Sequence, residues 1–156
     1  MSCILKLFLG VGLEVLRKLF MEINPKWSNN PSDADSFDKG ILEFYNENEK
    51  EAFYRGDINK WDFSLISSVL LYSNGCAREI RRRRDRKGAL RILRDIRNKL
   101  LGHNYTDRLS DDYFSRYWSL LSRSFITLGA DPQKIQEIKL KAGNYALTFI
   151  SSLIPL

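Results

Sequence analysis

Three side chains past the middle of the chain have the types and spacing for phosphate chemistry: Arg97, Asn98 and, with five residues between it and the arginine, His103. His103 is the only histidine in the 156-residue sequence. A guanidinium is a permanent cation that holds a phosphate and balances the charge growing on phosphorus during transfer. An imidazole, with an ordinary pKa of about 6.5, moves protons near neutral pH. Asn98 could bind the same phosphate or orient His103. Each residue also has a plainer reading: His103 bonded to a carbonyl at a helix end, Arg97 in a surface ion pair with an acid such as Asp95, Asn98 capping the helix from inside. RNA suits this inventory better than DNA, because its 2′-hydroxyl is a built-in nucleophile. Cleavage then needs a base, an acid and a cation, but no metal or other cofactor. One chain brings one imidazole, so a site with an imidazole for each proton transfer needs two chains.

The element that must position these groups is the stretch from Arg91 to Gly102. Leu93, Ile96 and Leu100 recur at helical spacing and predict one buried face. Arg94, Arg97 and Asn98 fall on or near its edge, and Gly102 suits a helix end. The net charge of +6 is concentrated around this stretch. Between Arg78 and His103 stand eleven Lys and Arg against three acids, eleven less three giving +8, so the rest of the chain sums to −2. A basic excess beside an Arg/His pair predicts nucleic-acid contact through Arg81, Arg82, Arg83, Arg84, Arg86, Lys87, Arg94 and Lys99. A solvated helix face or a nuclear-localisation run would leave the same trace. Four arginines in line repel, and the basic segment 78–88 leads into the motif helix.

The remaining elements are read as helices too. The first spans about 4–22 on Leu5, Phe8, Leu9, Leu13, Leu16 and Leu19, and its charges (Lys6, Glu14, Arg17, Lys18) interrupt it too often for a membrane span. Residues 24–36, rich in Asn, Pro and Ser, form a loop. A second helix from Phe37 to Phe53 ends at Gly56, its middle weakened by polar Asn46 to Glu51. Asp62 caps a third with Leu65, Ile66, Val69 and Leu70 inside, closed by Asn74-Gly75. After the motif helix and a loop at 104–109, Ser110 caps a helix carrying Phe114, Trp118, Leu121 and Phe125. Gly129 ends it, and Asp131-Pro132 start the last, with Ile135, Ile138, Ala142, Tyr145, Phe149 and Leu153 inside. No stretch alternates as a strand. The expected fold is all-α: one domain over 1–156, a compact bundle of five or six helices.

Cys3 and Cys76 have no motif spacing, which fits a reducing compartment or no role for the thiols, and the cytoplasm is the expected location. One histidine and two cysteines argue against a zinc site. Asp57, Asp62, Asp111 and Asp112 sit where turns and caps would put them rather than as metal ligands. Trp61, Trp118, Tyr113 and Tyr117 could stack bases, but their spacing fits the apolar stripes better. No P-loop, dinucleotide-binding glycine pattern or serine nucleophile elbow is present.

Arg97-Asn98-Lys99-Leu100-Leu101-Gly102-His103 resembles the Arg-Asn…His motif of the HEPN superfamily. Val15–Phe20 is similar to the first block of the HEPN type found in the DAZ-interacting E3 ubiquitin ligase. Gly56-Asp57 with Trp61–Ile66 resembles its second block, and Leu109–Phe114 through Trp118 to Leu128-Gly129 its third. The resemblance covers roughly residues 10 to 140. It implies an HEPN-like helical bundle and a metal-independent endoribonuclease in which Arg97 and His103, assisted by Asn98, act at a homodimer cleft where two motif helices meet. It also implies an alternative. Many HEPN-like domains are non-catalytic RNA-binding or dimerising parts of larger signalling, ubiquitin-ligase or innate-immune proteins, and this chain could be a fragment of one. Fold alone does not decide between them.

Overall fold

The computed structural model describes residues 6–37, 45–102 and 111–141; the side chains at 100–102 and 111–115 are outside that description. The described residues are predominantly helical and contain no strand, as the patterning predicts. A π-helical turn at Phe8–Gly12 leads into α1 (Leu13–Ile23). Then come α2 (Pro31–Asp35), α3 (Glu47–Arg55), a 3-10 turn (Ile58–Lys60), α4 (Phe63–Tyr72), α5 (Asn74–Arg82), α6 (Arg84–Gly102) and α7 (Asp111–Thr127). Residues 132–141 are helical again. Helix α6 packs on α4, α5 and α7, while α1 packs on α4 and α5.

Local chemistry explains most boundaries. The Asp62 carboxylate accepts from Leu65 N at 2.8 Å and starts α4. Asn46 accepts from Glu49 N at 2.8 Å while Glu49 reaches back to Asn46 N at 3.5 Å, a reciprocal cap that holds the polar start of α3 helical. Gly56 ends α3 at φ 75°, and a Cβ there would lie 2.1 Å from the Asn30 carbonyl oxygen. That close approach ties the 24–36 segment to the α3 end. The Trp27 indole N–H donates to Gly56 O at 2.8 Å, and Ile58 N donates to Asn29 Oδ1 at 3.1 Å. The segment is therefore more than a loop: Asn30, Pro31 and Asp33 give it the short helix α2. Gly129, at φ 108°, follows α7, and Asp131 Oδ1 accepts from Gln133 N at 2.9 Å ahead of the next helix.

Besides the 24–36 loop, three helix boundaries need correcting. The second helix is not continuous from Phe37 to Phe53, because Tyr45 and Asn46 lie outside it and Asn46 caps a helix that begins at Glu47. Asn74-Gly75 do not close the third helix; they open α5. Ser73 breaks the chain (φ −71°, ψ 140°) and its hydroxyl accepts from Cys76 N at 3.3 Å. The arginine run is likewise divided, because Arg83 (φ −114°, ψ 80°) separates α5 from α6, so α6 begins at Arg84, well ahead of Arg91. The expected helical start at 37–44, the Ser110 cap, the 104–109 loop and the last helix's inner face beyond 141 lie outside the described residues, apart from Phe37.

The core is aromatic at two ends. Phe20, Trp27, Phe53 and Trp61 meet with ring centroids 5.0–5.5 Å apart, joining α1, the 24–36 segment, α3 and the turn before α4. Phe8 meets Phe63 at 5.0 Å and Phe125 at 5.6 Å, both edge to face. Such pairs add about 0.5–1.5 kcal/mol each beyond burial. Trp61 and Trp118 are core residues, 1% and 5% exposed, and neither offers a face to a base. No described helix is long and apolar enough to cross a membrane.

Candidate nucleic-acid interface

Helix α6 carries the site because Ala89, Leu90, Leu93 and Ile96 bury one face and leave the arginines to its flanks. These cations do not share one role. Arg81, Arg82, Arg83 and Arg84 are exposed around the α5–α6 break, as is Lys99 near the other end, while Lys87 is half-buried. Arg81 donates to Ala77 O at 3.3 Å and Arg82 pairs with Glu79 at 3.3 Å, both within their own helix. Arg86 instead turns toward α1, where its Nη1 lies 3.8 Å from Glu22 Oε2.

Arg94 departs furthest from the sequence expectation. It is half-buried, and its Nη1 donates to the Ser68 hydroxyl, to Ser67 Oγ at 3.3 Å and to Ser64 O at 3.5 Å, all on α4. Its guanidinium lies 5.5 Å from the Tyr72 ring centre. Ser67 and Ser68 are buried, so the guanidinium satisfies hydroxyls that water does not reach. Tyr45 is buried beside this cluster, and its hydroxyl makes no hydrogen bond of ordinary geometry among the described residues. Burial pushes the Tyr45 phenol above its ordinary range and Glu49 adds to this, while Arg94 and the nearby Ser68 hydroxyl act against it.

Arg97, one turn beyond Arg94, lines a polar groove of about 370 Å³. Asn46, Asn48, Glu49 and Ala52 form the wall from α3 and its cap. Lys60 and Asp62 come from the turn before α4, and Ser64 and Leu65 from its first turn. The acids in this groove have local duties as helix caps, described above. Among the described residues neither Lys60 nor Arg97 is in an ion pair. Arg97 Nη1 donates to Asn98 Oδ1 at 3.4 Å, so these two motif residues are in contact on the exposed side. His103 lies outside the described residues.

The groove also holds residues that the motif did not point to: Lys60, Asn46, Asn48 and Ser64. The Asn-x-x-Glu spacing of 46–49 is a helix-cap signal that the expected helix across Phe37 to Phe53 passed over, and a lone lysine before Trp61 carries no local signal of a site. No group of three metal-ligating side chains comes together among the described residues. Cys76 is buried, and burial pushes its thiol pKa up, which suits a packed residue rather than a nucleophile. Comparison with protein-family models, curated proteins and solved structures finds no match to this chain.

Proposed function

We propose that this chain is a metal-independent endoribonuclease of the HEPN type that works as a homodimer. The observation that carries the reading is the position of Arg97: it lines a polar groove toward one end of α6, and the exposed arginines Arg81 to Arg84 surround the α5–α6 break at the other. In the proposed reaction one His103 takes the proton from a ribose 2′-hydroxyl. The 2′-oxygen attacks the adjacent phosphorus, the bond to the 5′-oxygen breaks, and a second imidazole, from the other chain, gives that oxygen its proton. The products are a 2′,3′-cyclic phosphate and a free 5′-hydroxyl. Arg97 balances the charge on the phosphoryl oxygens, and Asn98 supports it. Arg81 to Arg84 and Lys99 draw RNA to the site by releasing counterions from its backbone.

The test is cleavage of a single-stranded RNA by purified wild type, Arg97→Ala, His103→Ala and the double variant, with circular dichroism to check folding. Each single variant should lose about 10²–10⁴-fold in rate, and the double variant little more than either, because groups acting as a unit are not additive. A folded His103→Ala protein that cuts at the wild-type rate would remove the enzymatic reading. Wild type that binds RNA but leaves it intact would identify a non-catalytic RNA-binding module instead.

A further inference from the structure

We infer that the groove between α3, the turn before α4 and α6 seats one nucleotide of single-stranded RNA, with Lys60 as a second phosphate-binding cation alongside Arg97. This rests on the RNA reading above and adds to it an occupant and a residue. A volume of about 370 Å³ is at the small end of ligand sites and suits a single nucleotide better than a duplex. The two groove cations come from segments far apart in sequence, and among the described residues neither is in an ion pair. The groove's two carboxylates do not fill that role, because each is held by a backbone N–H of its own cap: Asp62 by Leu65 at 2.8 Å and Glu49 by Asn46 at 3.5 Å. An incoming phosphodiester therefore finds cations that need not first be released from acids. Asn48 and Ser64 line the same space with an amide and a hydroxyl, the neutral groups that read the edges of an unpaired base.

Lys60 is also firmly presented. Arg17 of α1 reaches across to the turn and donates to Ile58 O at 3.1 Å, Asn59 O at 2.9 Å and Trp61 O at 3.3 Å, gripping the backbone on both sides of Lys60. Lys60 N itself donates to Asp57 O at 3.0 Å. The lysine stem thus rises from a fixed base, which lowers the ordering cost of binding.

The probe is a 2′-fluoro hexauridylate, which lacks the nucleophile and so reports binding without cleavage. Its affinity for the full chain is measured by fluorescence anisotropy across a salt series. Lys60→Gln should bind about fivefold to tenfold more weakly, and the slope of log affinity against log salt should flatten by about 0.7, one phosphate contact on a single strand. Lys26→Gln, an equally exposed cation away from the groove, should bind as wild type. If Lys60→Gln binds as wild type, or Lys26→Gln weakens just as much, the groove assignment falls. A variant with Arg81 to Arg84 replaced by serine separates the two levels: its weakened binding beside an unaffected Lys60→Gln keeps the broader RNA reading while the groove is lost. Wild type that does not bind the hexamer overturns both.

Discussion

Replacing Arg94 with methionine tests whether this arginine belongs to the core or to the ligand. Methionine keeps most of the apolar stem and removes the guanidinium. Ser67 would keep a partner, since its hydroxyl donates to Ser64 O at 3.1 Å. Ser68, only 3% exposed, would lose its charged donor. A hydrogen bond to a charged group contributes about 1.5–3 kcal/mol. The contact with Tyr72, a ring half open to solvent, adds about 0.5–1 kcal/mol. Arg94→Met should therefore destabilise the fold by about 2–4 kcal/mol, or roughly 5–15 °C in melting temperature for a domain of this size. Chemical and thermal denaturation followed by circular dichroism, at one salt concentration, measure both values. A double-mutant cycle with Ser68→Ala should show coupling of about 0.5–3 kcal/mol, as expected of side chains in contact. A variant that melts within about a degree of wild type but loses RNA affinity to the extent expected of Lys60→Gln would refute this reasoning and return Arg94 to the RNA-facing set.

Three further outcomes are expected. Gly56→Ala should cost at least about 3 kcal/mol in denaturant melts, since a left-handed residue and a clash with Asn30 O combine there; a loss below about 1 kcal/mol would mean that the 24–36 segment does not close on Gly56. RNA cleavage should survive excess EDTA, and activity lost to the chelator and restored by Mg²⁺ would return attention to the aspartates. Specific activity should fall on dilution through the dimer dissociation range followed by light scattering, because each chain has one imidazole; constant specific activity down to the monomer would sink the two-chain site.

Much of the helical frame was legible because its signals are local. Asp62, Gly56 and Asp131-Pro132 act over three or four residues, which is the range that spacing in one sequence reports. The errors arose where two local signals competed. Asn74-Gly75 read as a stop, but the Ser73 hydroxyl next to it caps a new helix. The arginine run read as one repelling stretch, yet the break at Arg83 lets α5 and α6 carry its two parts on separate axes. The 24–36 segment read as a loop, although Asn30, Pro31 and Asp33 together form a helix start. Arg97 could be placed from periodicity. Its groove could not, because Lys60 and Asn46 come from parts of the chain that only the tertiary fold brings to it.

The same distinction explains why a count of positive charge overstates the number of cations that line the proposed RNA site. Four cations around the groove divide into two kinds. Arg17 and Arg94 send their guanidiniums into neighbouring elements, one to the carbonyls of the 58–61 turn and the other to the serines of α4. Lys60 and Arg97 follow from these anchors and line the groove. Arg17 fixes the turn that bears Lys60. Arg94 fixes α6 one turn before Arg97, and its contact on α4, Ser64, is itself part of the groove wall. A guanidinium suits the anchoring role because its forked donors can meet several acceptors at fixed angles, which an ammonium cannot do. Charge removed from an anchor should therefore reach the ligand only through the position of its neighbour, whereas charge removed from the groove should act on binding directly and leave the melting temperature in place.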